Sequence, residues 1–248
     1  MIIKILTIFS MVGMMVPILP TSAQVPQNIL FGATDQSFVH RLKDMTTNGN
    51  EIYIESTGGE LSYALDAADL IVEKHPTIKI VALCYSSCSE VILPAVSKYG
   101  TLVFFKQPLI GFHHNTAIVR LAFEVAGRTD FDRCFGSIDN RFRRLRLATG
   151  VPYDVWKLQE RLMVLNRSAT SILTRCRDTP IYLKNKFWFP TSSQLIELFH
   201  LKFIGSVCAD HLDCMVEKLK PFSKNGDNYV IGTSRYEWSS SSNSLVPL

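Results

Sequence analysis

Charge is scarce in this sequence. Asp, Glu, Lys and Arg make up 19% of its 248 residues, and 26 basic against 22 acidic side chains leave a net charge of +4. So mild a balance does not point to nucleic acid as a partner. Glycine and proline are also few, at 13 and 11, which excludes collagen-like and low-complexity chains. Six cysteines are too sparse for a small disulfide-framework domain. Disorder is excluded too, because 47% of the residues are hydrophobic. No repeat is found, and beyond residue 23 no uncharged run is long enough to span a bilayer. What the chain has in quantity is apolar side chains. Its mean hydropathy of +0.13 is high for a soluble protein, so where those residues sit is the first question.

Many sit at the front. One cation, Lys4, precedes an apolar run from Ile5 to Leu19, and Pro20 leads into Thr21, Ser22 and Ala23. That is the layout of a signal peptide over 1–23, with small residues at the cleavage site. The alternative is an uncleaved anchor. The shortness of the run and Pro17 argue against it, since spanning needs about 20 apolar residues. The chain is therefore expected to be exported to the periplasm, with no stable membrane span after cleavage.

Export permits Cys84, Cys88, Cys134, Cys176, Cys208 and Cys214 to pair. Nearness in sequence favours Cys84 with Cys88 and Cys208 with Cys214, leaving Cys134 with Cys176. Zinc is the rival reading, but no CxxC pair or His-x-x-x-His spacing supports it. Free thiols are the third. Neither a metal nor a cofactor is expected.

After a linker at 24–28, the first half alternates. Strands are predicted at Ile29–Ala33, Glu51–Glu55, Ile78–Leu83, Leu102–Phe105 and Leu109–Phe112. Helices are predicted from a Thr34 or Asp35 cap to Met45, from Leu61 to Pro76, and from Ser86 to Ser97 with a disturbance at Pro94. That order implies α/β with a mostly parallel sheet and right-handed crossovers. The nearly unbroken apolar run Ile78–Leu83 suggests a strand buried on both faces. The second half reads as helical, with helices over Asp132–Thr149, from Pro152 to Arg175, and over Gln194–Phe199 behind a Thr191 or Ser192 cap. Phe203–Val207 is a last strand candidate. A domain over 24–215 is expected, then a partly disordered tail over 216–248, because periodicity is lost beyond Phe222 and Ser239–Ser242 is uniformly polar.

Arg141, Arg143, Arg144 and Arg146 crowd one predicted helix. Binding of a phosphate, a lipid headgroup or nucleic acid is the sharp reading. A solvated face with partners such as Asp139 is the preferred one.

Three segments carry chemistry. Ser56-Thr57-Gly58-Gly59 follows a strand, and its glycines let backbone amides face an anion. Cys84-Tyr85-Ser86-Ser87-Cys88 follows the next strand and opens a helix, where terminal amides favour negative charge; Ser86 there is either a nucleophile or an N-cap. Ile110-Gly111-Phe112-His113-His114 delivers His113 at a strand end, placed to take a proton from a hydroxyl. Adjacent His113 and His114 point to opposite faces of a strand, which disfavours a shared metal.

In this order the three segments resemble the Clp-protease/crotonase superfamily, and more closely its exported Clp-like branch of mostly undefined substrate. The resemblance spans about 29–207 and implies a Clp/crotonase-like fold. It implies Ser86 as nucleophile, His113 as general base, and Gly58, Gly59 and Ser87 as the oxyanion hole. The sequence departs from that family at the third triad member. Around Lys184-Asn185-Lys186-Phe187-Trp188 no acid aligns; Asp178 is the expected acid and Asn185 the alternative. The expected function is a serine hydrolase, in one form a peptidase, acting on an unidentified peptide or acyl substrate. The alternative is a non-catalytic binding or scaffold protein on the same fold. Oligomers are usual in this superfamily, so a homo-oligomer is implied.

Overall fold

The computed structural model describes residues 28–49, 51–112, 120, 123–124, 127, 129–152, 155, 170–173, 181–184 and 187–248. The leader read at 1–23 lies outside the described residues, as do His113, His114, Cys176, Asp178 and Asn185.

The chain is α/β. Its first sheet contains β1 (Ile29–Thr34), β2 (Ile52–Gly59), β3 (Thr77–Tyr85), β4 (Thr101–Phe104) and β5 (Leu109–Gly111). The order is β1-β2-β3-β4, and every pairing is parallel. β5 also lies beside β3: β4 pairs with Thr77–Ile80 and β5 with Leu83–Tyr85. Between the strands run α1 (Gln36–Thr47), α2 (Leu61–Lys74), and a π-helical turn (Cys88–Ile92) that continues as α3 (Leu93–Tyr99). Asp35 caps α1 by accepting the Phe38 N–H.

The strand order advances in one direction, so right-handed crossovers place α1, α2 and α3 on one face. Ile52, Ile54, Ile78 and Ile80 are fully buried on that face, in one cluster with Phe38, Leu42, Ala64 and Ile71. Tyr53, Lys79, Val81 and Leu83 are half-buried. The expectation of burial on both faces is met only in part: Ile78 and Ile80 are fully buried under the helices, whereas Val81, Ala82 and Leu83 are half-buried, with Leu83 packed against a second apolar cluster.

The second half is not helical throughout. α4 (Phe131–Thr149) forms as its spacing predicts, burying Phe135, Ile138 and Phe142, and stops at Gly150 with φ +78°. The helix expected to reach Arg175 does not do so. Thr170–Leu173 is a strand, β6, paired antiparallel with β7 (Ile181–Lys184). A second, mixed sheet contains β8 (Phe187–Phe189), β9 (Asn228–Ile231), β10 (Ser234–Ser239) and β11 (Ser244–Pro247) in the order β11-β10-β9-β8. α5 (Ser192–Glu197) carries a capping box between Thr191 and Gln194. α6 (Leu212–Leu219) buries Met215 and Leu219 with Phe189, Ile231, Trp238 and Leu245 in a second apolar cluster. Residues 216–248 are therefore not the tail expected of them. Their apolar side chains are few, but Val230, Ile231, Trp238 and Leu245 are buried on the strands, and the serine run leads into the turn between β10 and β11. Phe203–Val207 makes a single bridge, Ile204 to Val103, in place of a strand. Among the described residues no helix is long and apolar enough to cross a membrane.

The basic cluster braces α4. Arg141 binds Asp66 and Asp69 of α2 at 2.8 Å, Arg143 binds Asp139 at 2.9 Å, and Arg146 is buried over the Phe142 ring. A groove of about 350 Å³ between α2, α3 and α4 is lined by Arg141, Arg144 and Tyr99 but by none of the expected site residues.

Candidate functional site

The ends of β1, β2, β3 and β5 converge, bringing Ser56–Gly59, Cys84–Cys88 and Ile110–Phe112 together there. This is the carboxyl edge of a parallel sheet, where open α/β folds bind ligands.

Ser86 is the residue between β3 and the π turn. Its φ is +55°, in the left-handed region that non-glycine residues avoid. The turn is fixed from several sides. Ser86 N–H donates to Gly111 O at 3.0 Å, and Glu90 N–H donates to Ser86 O at 2.9 Å. The fully buried Ser89 hydroxyl reaches both Ser86 O (2.9 Å) and Gly111 O (2.7 Å). Cys84 and Cys88 are joined in a disulfide with Cα atoms 5.3 Å apart, closing a ring across Tyr85, Ser86 and Ser87. Pro94 explains the π turn: it has no N–H to return to Glu90 O, so the helix widens before it and Leu93 N–H bonds Cys88 O.

Among the described residues no hydrogen bond uses the Ser86 hydroxyl. Ser87 is already helical at φ −58°, Ser86 O accepts the first helical bond, and among the described residues neither serine side chain caps the helix. The Ser87 hydroxyl instead meets Thr34 Oγ1 at 2.6 Å, a buried bond that ties the end of β1 to the turn. Ser87 N–H precedes Glu90 N–H, which makes the first bond back to the turn, so it belongs to the unpaired donors of a helix start.

The two glycines differ. Gly58 has φ +80°, and a Cβ there would lie 2.4 Å from Ser86 Cβ and 2.5 Å from Tyr85 O. Its N–H is engaged by Ser56 Oγ at 3.1 Å, so its part is to leave room for Ser86. A Cβ on Gly59 would lie 2.7 Å from Thr34 O, so Gly59 is pressed against β1 beside the Thr34–Ser87 bond.

β5 leads toward His113. Its last neighbour, Phe112, exchanges backbone bonds of 2.9 Å in both directions with Trp188, where the two sheets meet. Tyr85 closes the floor, its ring against Phe187 and Phe189. Burial pushes its phenol well above the usual range, so it stays neutral. His113, Asp178 and Asn185 lie outside the described residues; Ser86, Ser87, Gly58 and Gly59 are brought together.

Sequence reasoning assigned no part in this neighbourhood to Thr34, Ser56, Ser89 or Glu90. Thr34, Ser56 and Ser89 fix its backbone, and Glu90 brings a buried acid one turn from Ser86. Thr34 was findable as the strand end level with Gly59, a register visible only once β1 and β2 are paired.

Cys208 and Cys214 form a second disulfide, and Cys134 is disulfide-bonded as well. These bonds are compatible with an exported protein. No family model matches the chain. No curated protein matches it either.

Proposed function

We propose that the chain is an exported serine hydrolase of the Clp/crotonase-like kind, acting by acyl transfer on a peptide or other acyl substrate. One observation carries the reading: an uncommitted serine hydroxyl on a left-handed turn between a parallel strand and a helix, with a glycine pressed against its Cβ. Strain of this kind persists where surrounding structure enforces it, and it gathers at functional positions. Serine nucleophiles of other hydrolases are presented on the same sort of sharp strand-to-helix turn.

In this mechanism Ser86 Oγ attacks the acyl carbonyl and His113 takes its proton. The oxyanion is held by the N–H groups of Gly59 and Ser87, donors worth about 3–4 kcal/mol of barrier each in known hydrolases. Collapse expels the leaving group, which takes the proton from His113. Water, deprotonated by His113, then releases the acyl group and restores Ser86. Asp178 orients His113 in this scheme.

Labelling with a fluorophosphonate followed by peptide mapping tests the proposal. The expected result is a covalent adduct on Ser86 that is absent from Ser86→Ala. Folded wild-type protein that takes no label across pH 6–9 overturns it, 6–9 being roughly the range over which a histidine base is deprotonated.

A further inference from the structure

Ser86 holds a backbone conformation that serine does not choose unaided, so something must enforce it. Hydrogen bonds anchor the turn to β5. The remaining freedom is the angle at which the helix leaves β3, and the Cys84–Cys88 bond acts there. Cys84 is pinned inside the sheet, opposite Ser56 of β2 and Ile110 of β5. Cys88 is the first residue of the π turn. The bond joins a fixed strand to a helix start across three residues, with Ser86 in the middle. Without it, Ser86 can relax to a right-handed φ, extending the helix backward and lifting its Cβ from Gly58.

We propose that the Cys84–Cys88 disulfide is the positioning group of the nucleophile, and that its formation switches Ser86 from latent to reactive. This rests on the hydrolase reading above. The chemistry is thiol–disulfide exchange. Two thiols give up two electrons and two protons to an incoming disulfide such as oxidised glutathione, which leaves as two thiols. The chain is then inactive where thiols are kept reduced and becomes active in an oxidising compartment. Both cysteines are fully buried once joined, which slows attack on the bond by solvent reductants in the folded protein.

The Cys208–Cys214 bond is the internal control, because it lies outside the Ser86 turn and ties residues 208–210 to α6. The experiment compares fluorophosphonate labelling rates of oxidised wild type, Cys84→Ala/Cys88→Ala and Cys208→Ala/Cys214→Ala, with near-ultraviolet circular dichroism on the same samples. The expected result is native dichroism in all three, a roughly 10–100-fold slower rate for the 84/88 variant, as for a misplaced nucleophile, and a wild-type rate for the control. Reduced wild type, reoxidised with glutathione disulfide, gains label in step with loss of alkylatable Cys84 and Cys88. An 84/88 variant that labels at the wild-type rate overturns the inference and leaves the hydrolase reading intact. Loss of native dichroism in both the 84/88 variant and the dithiol protein also overturns it, since the bond is then a folding constraint. Oxidised wild type that takes no label overturns the hydrolase reading and the inference with it.

Discussion

Ser86 stands where glycine is the more stable residue. Left-handed φ disfavours any side chain, and the carbon that suffers is the one that carries the hydroxyl. Ser86→Gly is expected to remove all labelling while raising unfolding stability by about 0.5–1 kcal/mol, measured by urea denaturation. A destabilised variant would show that contacts of the side chain outweigh the strain. Opposed effects of one substitution on stability and reactivity mark a position kept for function. Sequence alone singled out Ser86, Gly58 and Gly59, because a serine between cysteines and a glycine pair both follow strands. It did not separate the glycines. Their division of labour depends on the irregular register of β2 against β3 after Ile54, which turns Gly58 toward Ser86. No pattern in Ser56-Thr57-Gly58-Gly59 encodes that slip.

Among the elements, caps were legible and register was not. Asp35 and Thr191 each begin a helix as their residue types predict. The Phe38 N–H and then the Ser37 hydroxyl hold the Asp35 carboxyl below its ordinary 3.8. A carboxyl depressed in the folded state stabilises fully above its unfolded value and progressively less as pH falls through the folded one. Asp35→Ala is therefore expected to lower stability at neutral pH, with the gap to wild type narrowing as pH drops below 3.8 in acid titrations of unfolding. A gap that is constant with pH would assign the effect to the neutral bond instead. The π turn was hidden for the opposite reason. Ser86–Ser97 carries helical periodicity, and Pro94 signals a disturbance without saying whether the helix kinks, breaks or widens. At Thr170–Leu173 the apolar pair Ile172 and Leu173 fits a helix and a short strand equally, and only pairing with Ile181–Lys184 decides between them.

At the scale of the molecule, the sheet with its crossover helices holds one large apolar cluster and the later strands another, and this later one was invisible in composition. Trp238 and Leu245 stand in a stretch dominated by serine, asparagine and charge, yet both are buried against α6. Trp238→Ala is expected to cost about 3–5 kcal/mol in chemical denaturation, as large core truncations do. A change below about 1 kcal/mol would show that residues 228–247 contribute little to the fold, as surface positions generally do. The first sheet was legible because its βα alternation fixes order and handedness together, whereas the second sheet joins β8 to β9 across α5 and α6, a connection no local pattern announces.

The Phe112–Trp188 bridge sets a timetable for synthesis. Ser86, Gly58 and the strands that hold them emerge from the ribosome early and are close in sequence. Phe112, the residue before His113, is clasped only when Trp188 arrives, and Trp188 is in turn held through its indole N–H by Gly232 O. Contacts so distant along the chain form late in folding. A nascent chain thus carries Ser86 long before the strand beside it is fastened, and the surroundings of that serine are complete only once β8 and β9 are in place.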